Sequence, residues 1–243
     1  RIKIKIRMSG RVGSITTEII ADGLVFNIDA ANRASHVNGN TNTFNTTNLS
    51  QPGNLKNDVT FIPSPTPSFE FDGADDYIIF DSFPLDSSAT DMTMSTWIKI
   101  DADTGTWQGI CDGISDYLRT RIIIANDRTG IQCSLSSNGS LKSVPQLQLD
   151  TWYNITVTKN TSGAFIYIDG VYITADVSQN GSLTGSSGIP SSKSGITLAS
   201  GAIDVNTFWL NGNISFLKIY DRALSSTEVL HNYNALKGRF GLS

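Results

Sequence analysis

The sequence predicts an all-β protein, two sheets packed as a sandwich, with one short helix near the C-terminus. Three observations lead there. Of the 22 acids only Glu18, Glu70 and Glu228 are glutamate, and aspartate favours turns and strand ends where glutamate favours helix interiors. Short alternating or continuous apolar stretches, divided by Gly, Asn, Asp and Pro, recur along the chain. A single segment has helical spacing and a start signal. At 243 residues the chain suits one large β unit that can bury a core without staples.

The elements follow in order. Residues 24–28 read as a short strand, and residues 32–68 as long surface loops with brief strands near Phe44 and at Val59–Phe61. Phe69–Phe71 alternates and Tyr77–Phe80 is an apolar run. Met92–Ile100 places Met92, Met94, Ile98 and Ile100 on one face and Trp97 on the other. Three strands then follow between residues 106 and 136. Residues 151–159 alternate again. Phe165–Ile168 and Val171–Thr174 flank Asp169-Gly170, a pair that tolerates the positive angles of a two-residue type I′ turn. After a Gly/Ser-rich span at 178–195, the last strands fall at 196–199, 207–210 and 214–220. Ser225 and Glu228 have capping-box spacing. Val229, Leu230, Tyr233 and Leu236 form an apolar stripe, and Gly238 is placed to end the helix.

No run of 18 apolar residues exists, so no transmembrane helix is expected, and no secretory leader is visible. The first methionine is Met8, so residues 1–7 read as processed, added or encoded upstream. Arg1, Lys3, Lys5, Arg7 and Arg11 precede the first acid, which leaves 13 of the 18 bases against all 22 acids, a balance of −9. We therefore divide the chain into a basic arm, residues 1–20, and a sandwich, residues 21–243. The acidic body disfavours nucleic acid. Ile2, Ile4 and Ile6 share one face of the arm, which reads either as a solvated tail with one edge strand or as a strand added to a partner. Cys111 and Cys133 fall on outer strands of a three-strand meander. Strands two apart lie roughly 9–10 Å from each other, beyond the disulfide Cα reach of about 7 Å, so two free thiols are expected.

Several segments together resemble one family. Phe69–Ile78 (FEFDGADDYI) resembles the F-x-F-D-G-x-D-D-Y-V signature of concanavalin A-like lectin/glucanase domains of the laminin G type. Met92–Ile98 (MTMSTWI) is similar to their f-T-i-S-x-W-v strand. Asp150–Thr158 (DTWYNITVT) with Phe165–Val171 (FIYIDGV) is similar to their tryptophan-led hairpin, and Gly212–Ser225 (GNISFLKIYDRALS) to G-x-I-D-d-v-r-I-Y-n-R-A-L-S. The ends, Gly23–Arg33 and Asn232–Leu242, resemble laminin G-like structural proteins of tailed bacteriophages. The resemblance implies a concanavalin A-like jelly roll exposed on a virion as a decoration, fibre or tail-associated module, assembled in the host cytoplasm. Its partners would be capsid, neck or tail proteins held through the arm, in many copies, and host-surface glycans. The alternative is a free or multidomain carbohydrate-binding lectin.

The chemistry expected is binding rather than turnover. His36, in an Asn-rich loop, and His231, on the helix, are the only histidines, and no nucleophile triad or zinc motif is present. Glu70-Phe-Asp72 begins like a glucanase carboxylate strand, but Asp75 stands where the second glutamate belongs. The chain is therefore expected to be non-enzymatic, with a glycosidase disfavoured. Calcium is the candidate cofactor, on Asp72, Asp75 and Asp76, because hard cations take several carboxylate oxygens. In the family the acid of G-x-I-D can join such a site; here that position is Ser215. Without an ion, Asp72 and Asp75 are expected to shape the turn by bonding backbone amides. Trp97 and Trp152 are assigned to the core. Trp107, Trp209, Tyr117 and Asp112 are the glycan-binding candidates, since sugar C–H faces stack on rings and hydroxyls seek polar partners; the alternative is that these side chains only pack. Seven Asn-x-Ser/Thr sequons, including Asn154 and Asn213 in strands, read as compositional chance.

Overall fold

The computed structural model describes residues 19–85, 89–114, 121–126, 130–136, 139–142, 146–173, 178–181, 195–200 and 208–243. Residues 211–220 form the longest strand and organise one of two antiparallel sheets. In chain order the strands are β1 (Leu24–Asp29), β2 (Asn42–Phe44), β3 (Pro52–Lys56), β4 (Thr60–Ile62), β5 (Ser68–Asp72), β6 (Tyr77–Phe80), β7 (Met92–Ile100) and β8 (Gln108–Ile114). There follow β9 (Arg121–Ile124), β10 (Ile131–Ser136), β11 (Gly139–Lys142), β12 (Trp152–Asn160), β13 (Gly163–Ile168), β14 (Val171–Tyr172), β15 (Ser178–Gly181), β16 (Gly195–Leu198) and β17 (Asn211–Tyr220). The first sheet runs β14-β13-β12-β7-β17-β5-β4, with β1 also on β17; the second runs β15-β11-β10-β9-β8-β16-β6-β3-β2. The sandwich expected from the sequence is present. The stretch read as loops before residue 68 also supplies β3, which pairs with β2 and β6 although its apolar content is a single leucine.

Along one side β17 follows β7. Along the other, Asn211–Ile214 pairs with β5 and Phe216–Tyr220 with β1. Ser215 is the switch between them: the β7 register shifts there, and its carbonyl accepts the Ala30 N–H. At Gly212, where the backbone has φ +156°, a Cβ would lie 2.1 Å from the Lys99 carbonyl oxygen, so only glycine lets β17 approach β7.

The main core lies between the sheets and includes Met92, Met94, Ile98 and Ile100 from β7. Trp97 faces the opposite side, as its parity requires. That outer face is also dry, because the C-terminal segment covers it. Trp97 and Phe216 pack with Phe240, Tyr233, Leu236 and Trp152, and Trp97 stacks on Phe240 with ring centroids 3.8 Å apart. Both tryptophans assigned to the core are therefore in apolar clusters, Trp152 at its edge.

Helix α1 (Ser226–Leu236) starts at the expected capping box, with Ser225 and Glu228 satisfying each other's backbone N–H. Its buried face differs from the expected stripe. Leu230 is 44% exposed, whereas Asn232 is buried and donates to the Tyr220 hydroxyl. The chain does not stop at Gly238 but tightens into a 3₁₀ turn, Lys237–Phe240, closed by Gly241 at φ +76°. The Asp169-Gly170 turn has φ of +52° and +76°, as a type I′ turn needs. Cys111 and Cys133 both stand opposite Ile122 across β9, buried and not joined in a disulfide, and burial pushes the Cys111 thiol up. Asn154 and Asn213 are buried in strands, closed to a bulky modification.

Candidate functional site

The turn from β5 to β6 brings Asp72, Asp75 and Asp76 together, with one carboxylate oxygen of each within 4.8 Å of the others. Asp76 is buried and clamps the β3–β4 turn to the end of β5: its Oδ1 accepts the Asp58 N–H at 2.9 Å and its Oδ2 the Asp72 N–H at 3.2 Å. Asp72 Oδ1 accepts the Ala74 N–H at 2.8 Å. The sequence assigned amide bonding to Asp72 and Asp75, but Asp72 and Asp76 do this work. Asp75 is exposed, and its backbone carbonyl rather than its carboxylate accepts from Asn57. Burial raises the Asp76 pKa, and the charges of Asp72 and Asp75 raise it further.

Asn211 at the start of β17 locks this turn from above, donating to the Asp72 carbonyl at 2.7 Å. Its own N–H is held by Gln108 Oε1 at 2.8 Å. Residues 208–210 are therefore fixed against β8, where Phe208 O accepts the Gly109 N–H and the Leu210 N–H reaches Ala199 O. This leads the half-buried Trp209 onto Tyr77, with ring centroids 5.8 Å apart and planes tilted by 34°. Tyr77, which sequence reasoning left out, is the tyrosine of the F-x-F-D-G-x-D-D-Y stretch and belongs to this site by position.

Of the four predicted glycan contacts, the three among the described residues do not converge. Trp107 lies 5.7 Å from the Lys142 ammonium on β11, on the other side of β8 from Trp209 and β6. Asp112 is 3% exposed, in a row of buried polar residues across the second sheet formed by Ser134, Arg121, Asp112 and Thr197. A side chain paired inside a sheet row is not presented to a sugar. Tyr117 lies outside the described residues, as do Arg1, Lys3, Lys5, Arg7 and Arg11 of the arm. Ile20, counted with the arm in the sequence, is bonded to the body: its N–H donates to Asn232 Oδ1 and its carbonyl accepts from the Tyr220 hydroxyl.

A second polar centre went unnoticed in the sequence. Arg239 of the 3₁₀ turn makes a two-pronged bond to Asp29 at the end of β1, at 2.6 and 2.9 Å, and its Nη2 also donates to Ser215 Oγ at 2.8 Å. Ser215 Oγ in turn donates to Pro67 O. The oxygen that stands at the family's calcium-acid position is thus occupied by a guanidinium. Burial opposes the Asp29 charge, but the Arg239 bonds and the nearby Lys218 charge outweigh it, and the Asp29 pKa is lowered. Lys218 lies buried 3.8 Å from Asp29, its ammonium 3.6 Å from the Phe216 ring centre.

Burial lowers the Lys218 pKa to about 8, Asp29 pulling it back up and Arg239 adding to the fall. A lysine depressed in the folded state binds fewer protons there than when unfolded, so its penalty is full below pH 8 and disappears as pH rises towards 10.5. Lys218→Met should therefore stabilise the fold by about 1–3 kcal/mol at pH 7. In paired urea titrations the advantage over the parent should shrink between pH 8 and 10.5. An advantage independent of pH would contradict this account.

A family model for the concanavalin A-like lectin/glucanases superfamily matches residues 72–230. No curated protein matches the chain. Among solved structures, Trypanosoma rangeli sialidase in complex with sialic acid is similar at a TM-score of 0.65 and 12% identity, over 89% of this chain and 33% of that one. The botulinum neurotoxin serotype D binding domain is similar at 0.64 and 16% identity, over 88% of this chain and 52% of that one. The botulinum neurotoxin DC binding domain in complex with rat synaptotagmin II gives 0.64 and 18% identity over the same shares. The chain thus spans about a third of the sialidases and half of the toxin domains, and identities this low show a shared fold alone. The expectation of a chain without enzymatic activity does not survive the likeness to sialidases and is withdrawn.

Proposed function

Because the chain belongs to the concanavalin A-like lectin/glucanase superfamily, we propose that it is a surface-exposed sandwich that binds host-cell glycans at the Asp72–Tyr77 turn and Trp209. The observation that carries this reading is the Tyr77–Trp209 ring pair standing beside three carboxylates held within 4.8 Å. Aromatic faces take sugar C–H groups and carboxylates take hydroxyls, and a lectin site needs both at one place. The setting we propose is a virion surface, as a decoration, fibre or tail-associated component. It is supported by the resemblance of residues 23–33 and 232–242 to phage structural proteins. The basic arm is the proposed anchor to other virion proteins.

The test is glycan-array retention of the full chain and of Trp209→Ala, with melting curves to confirm the fold. The variant should bind the retained glycans about tenfold more weakly, the loss expected when one stacking ring is removed. A parent that retains no glycan, or a variant that retains them equally, would count against the site.

Calcium is proposed for the same turn. The donors are hard oxygens, and the mutual repulsion that helps raise Asp76 is what a divalent cation relieves. Asp75 and the second oxygen of Asp72 would hold it, since Asp76 uses both oxygens on backbone amides. Calcium at about ten times its dissociation constant should add ~1.4 kcal/mol, or roughly 3–6 °C in Tm. The shift should be absent in Asp75→Asn and reversed by a chelator. No calcium-dependent shift in the parent would remove the ion from the proposal.

A further inference from the structure

The segment after β1 and the Pro63–Pro67 connection between β4 and β5 line a cavity of about 270 Å³ that is open to solvent. It lies at the Ser68 end of β5, whereas the acidic turn lies at the Asp72 end, so the two sites are separate. Phe61, Pro63 and Pro67 form apolar walls, Val37 is 43% exposed at the edge, and Arg33, His36 and Asn38 also line it, with Ala30 and Ala31. The size is that of one substituted ring.

His36 is the unusual member. It is 3% exposed, and its ring packs on Phe61 and Phe69 with centroids 4.6 and 5.0 Å away. Nδ1 lies 3.0 Å from the Asn42 carbonyl. A carbonyl only accepts, so Nδ1 carries the proton and Nε2 presents a lone pair. Nε2 is buried and has no hydrogen-bond partner. Buried acceptors are ordinarily satisfied, and one left open beside a cavity is what a ligand's donor would complete. The ring is held in place by its neighbours: Ser35 Oγ donates to Phe44 O and accepts from Asp29 N, and the His36 N–H reaches Asn32 O. Arg33 is exposed at the lining, and its guanidinium enters none of the ion pairs among the described residues.

We propose that this cavity binds a small hydroxylated aryl carboxylate. The ring lies against Phe61 and the two prolines, the carboxylate meets Arg33 at the edge, and the hydroxyl donates to His36 Nε2. A free sugar fits the walls less well, because most of its hydroxyls would face apolar carbon without partners. Bare phosphate or a metal ion would leave the apolar walls unused.

The experiment titrates the full chain with 4-hydroxyphenylacetate, phenylacetate and 4-hydroxyphenethylamine, followed by amide chemical-shift changes. Shifts should gather at residues 30–38 and 61–67, with 4-hydroxyphenylacetate binding about tenfold more tightly than either analogue. Arg33→Gln, at an exposed position, should erase the preference for acid over amine. His36→Phe keeps a ring between Phe61 and Phe69 and should erase the preference for phenol over phenyl. Should that variant fail to fold, Arg33→Gln still decides. Equal affinities for the three compounds, shifts centred elsewhere, or an unchanged preference in Arg33→Gln would overturn the proposal.

Discussion

Trp97→Ala should cost the fold about 3–5 kcal/mol, lowering Tm by roughly 6–20 °C. The indole is fully buried on the outer face of the first sheet. Phe240 stacks on it with planes 3° apart, and Tyr233 lies parallel at 5.8 Å. Removing the ring opens a cavity between β7 and the C-terminal segment. A finer comparison isolates the polar part of the residue. The indole N–H is buried without a hydrogen-bond partner, so Trp97→Phe gives up volume but also removes an orphaned donor worth about 1–3 kcal/mol. It should cost less than half of what alanine costs. Equal losses for the two substitutions in denaturant titrations would show that the cavity is not the cause.

Asp29→Asn should cost about 3 kcal/mol and loosen the C-terminal segment from the sheet. The substitution keeps the shape but leaves Arg239 and Lys218 as two neighbouring cations without their shared anion. The pH dependence has a definite sign. The folded Asp29 pKa lies below its ordinary value of 3.8. Its stabilisation is therefore complete above that value and is lost as pH falls through the lower, folded one. The gap between parent and variant should stay constant from pH 7 to about 5 and close under acid. Hydrogen exchange in residues 237–242 should accelerate in the variant at pH 7. A gap that persists at low pH would mean the carboxylate acts by shape rather than by charge.

Both predictions concern contacts that sequence reasoning reached only in part. Trp97 was legible because a strand alternates strictly: four apolar partners on one face of β7 leave it on the other. What covered it was not legible, since the stacking partner lies in the C-terminal turn, more than a hundred residues away. Asp29 and Arg239 each sat in a terminal stretch resembling phage structural proteins. Nothing in either stretch shows that the two meet through a two-pronged ion pair, with Ser215 completing the contact at the point where β17 exchanges β5 for β1.

The site divides in the same way. Three aspartates one to four residues apart had to share a turn, and the sequence was enough to place them. Their separate duties were set by where β4 and β5 pass, because Asp76 is clamped by the amide of Asp58, eighteen residues upstream. The aromatic candidates separated for a similar reason. Trp107 and Trp209 are both near loops, but each goes where its flanking strand carries it, one towards β11 and one towards β6. His36 looked like an ordinary loop residue until the β4 and β5 phenylalanines closed over it.

By itself, then, the sequence determined the quantities that depend on neighbours along the chain: strand parity, turn angles at Asp169-Gly170, the helix start at Ser225, and a surface rich in aspartate turns. The tertiary structure alone decided which polar groups meet. Burial, pKa shifts and ring contacts depend on distances across the sandwich, and those are set by how two sheets and a covering segment pack rather than by spacing along one strand.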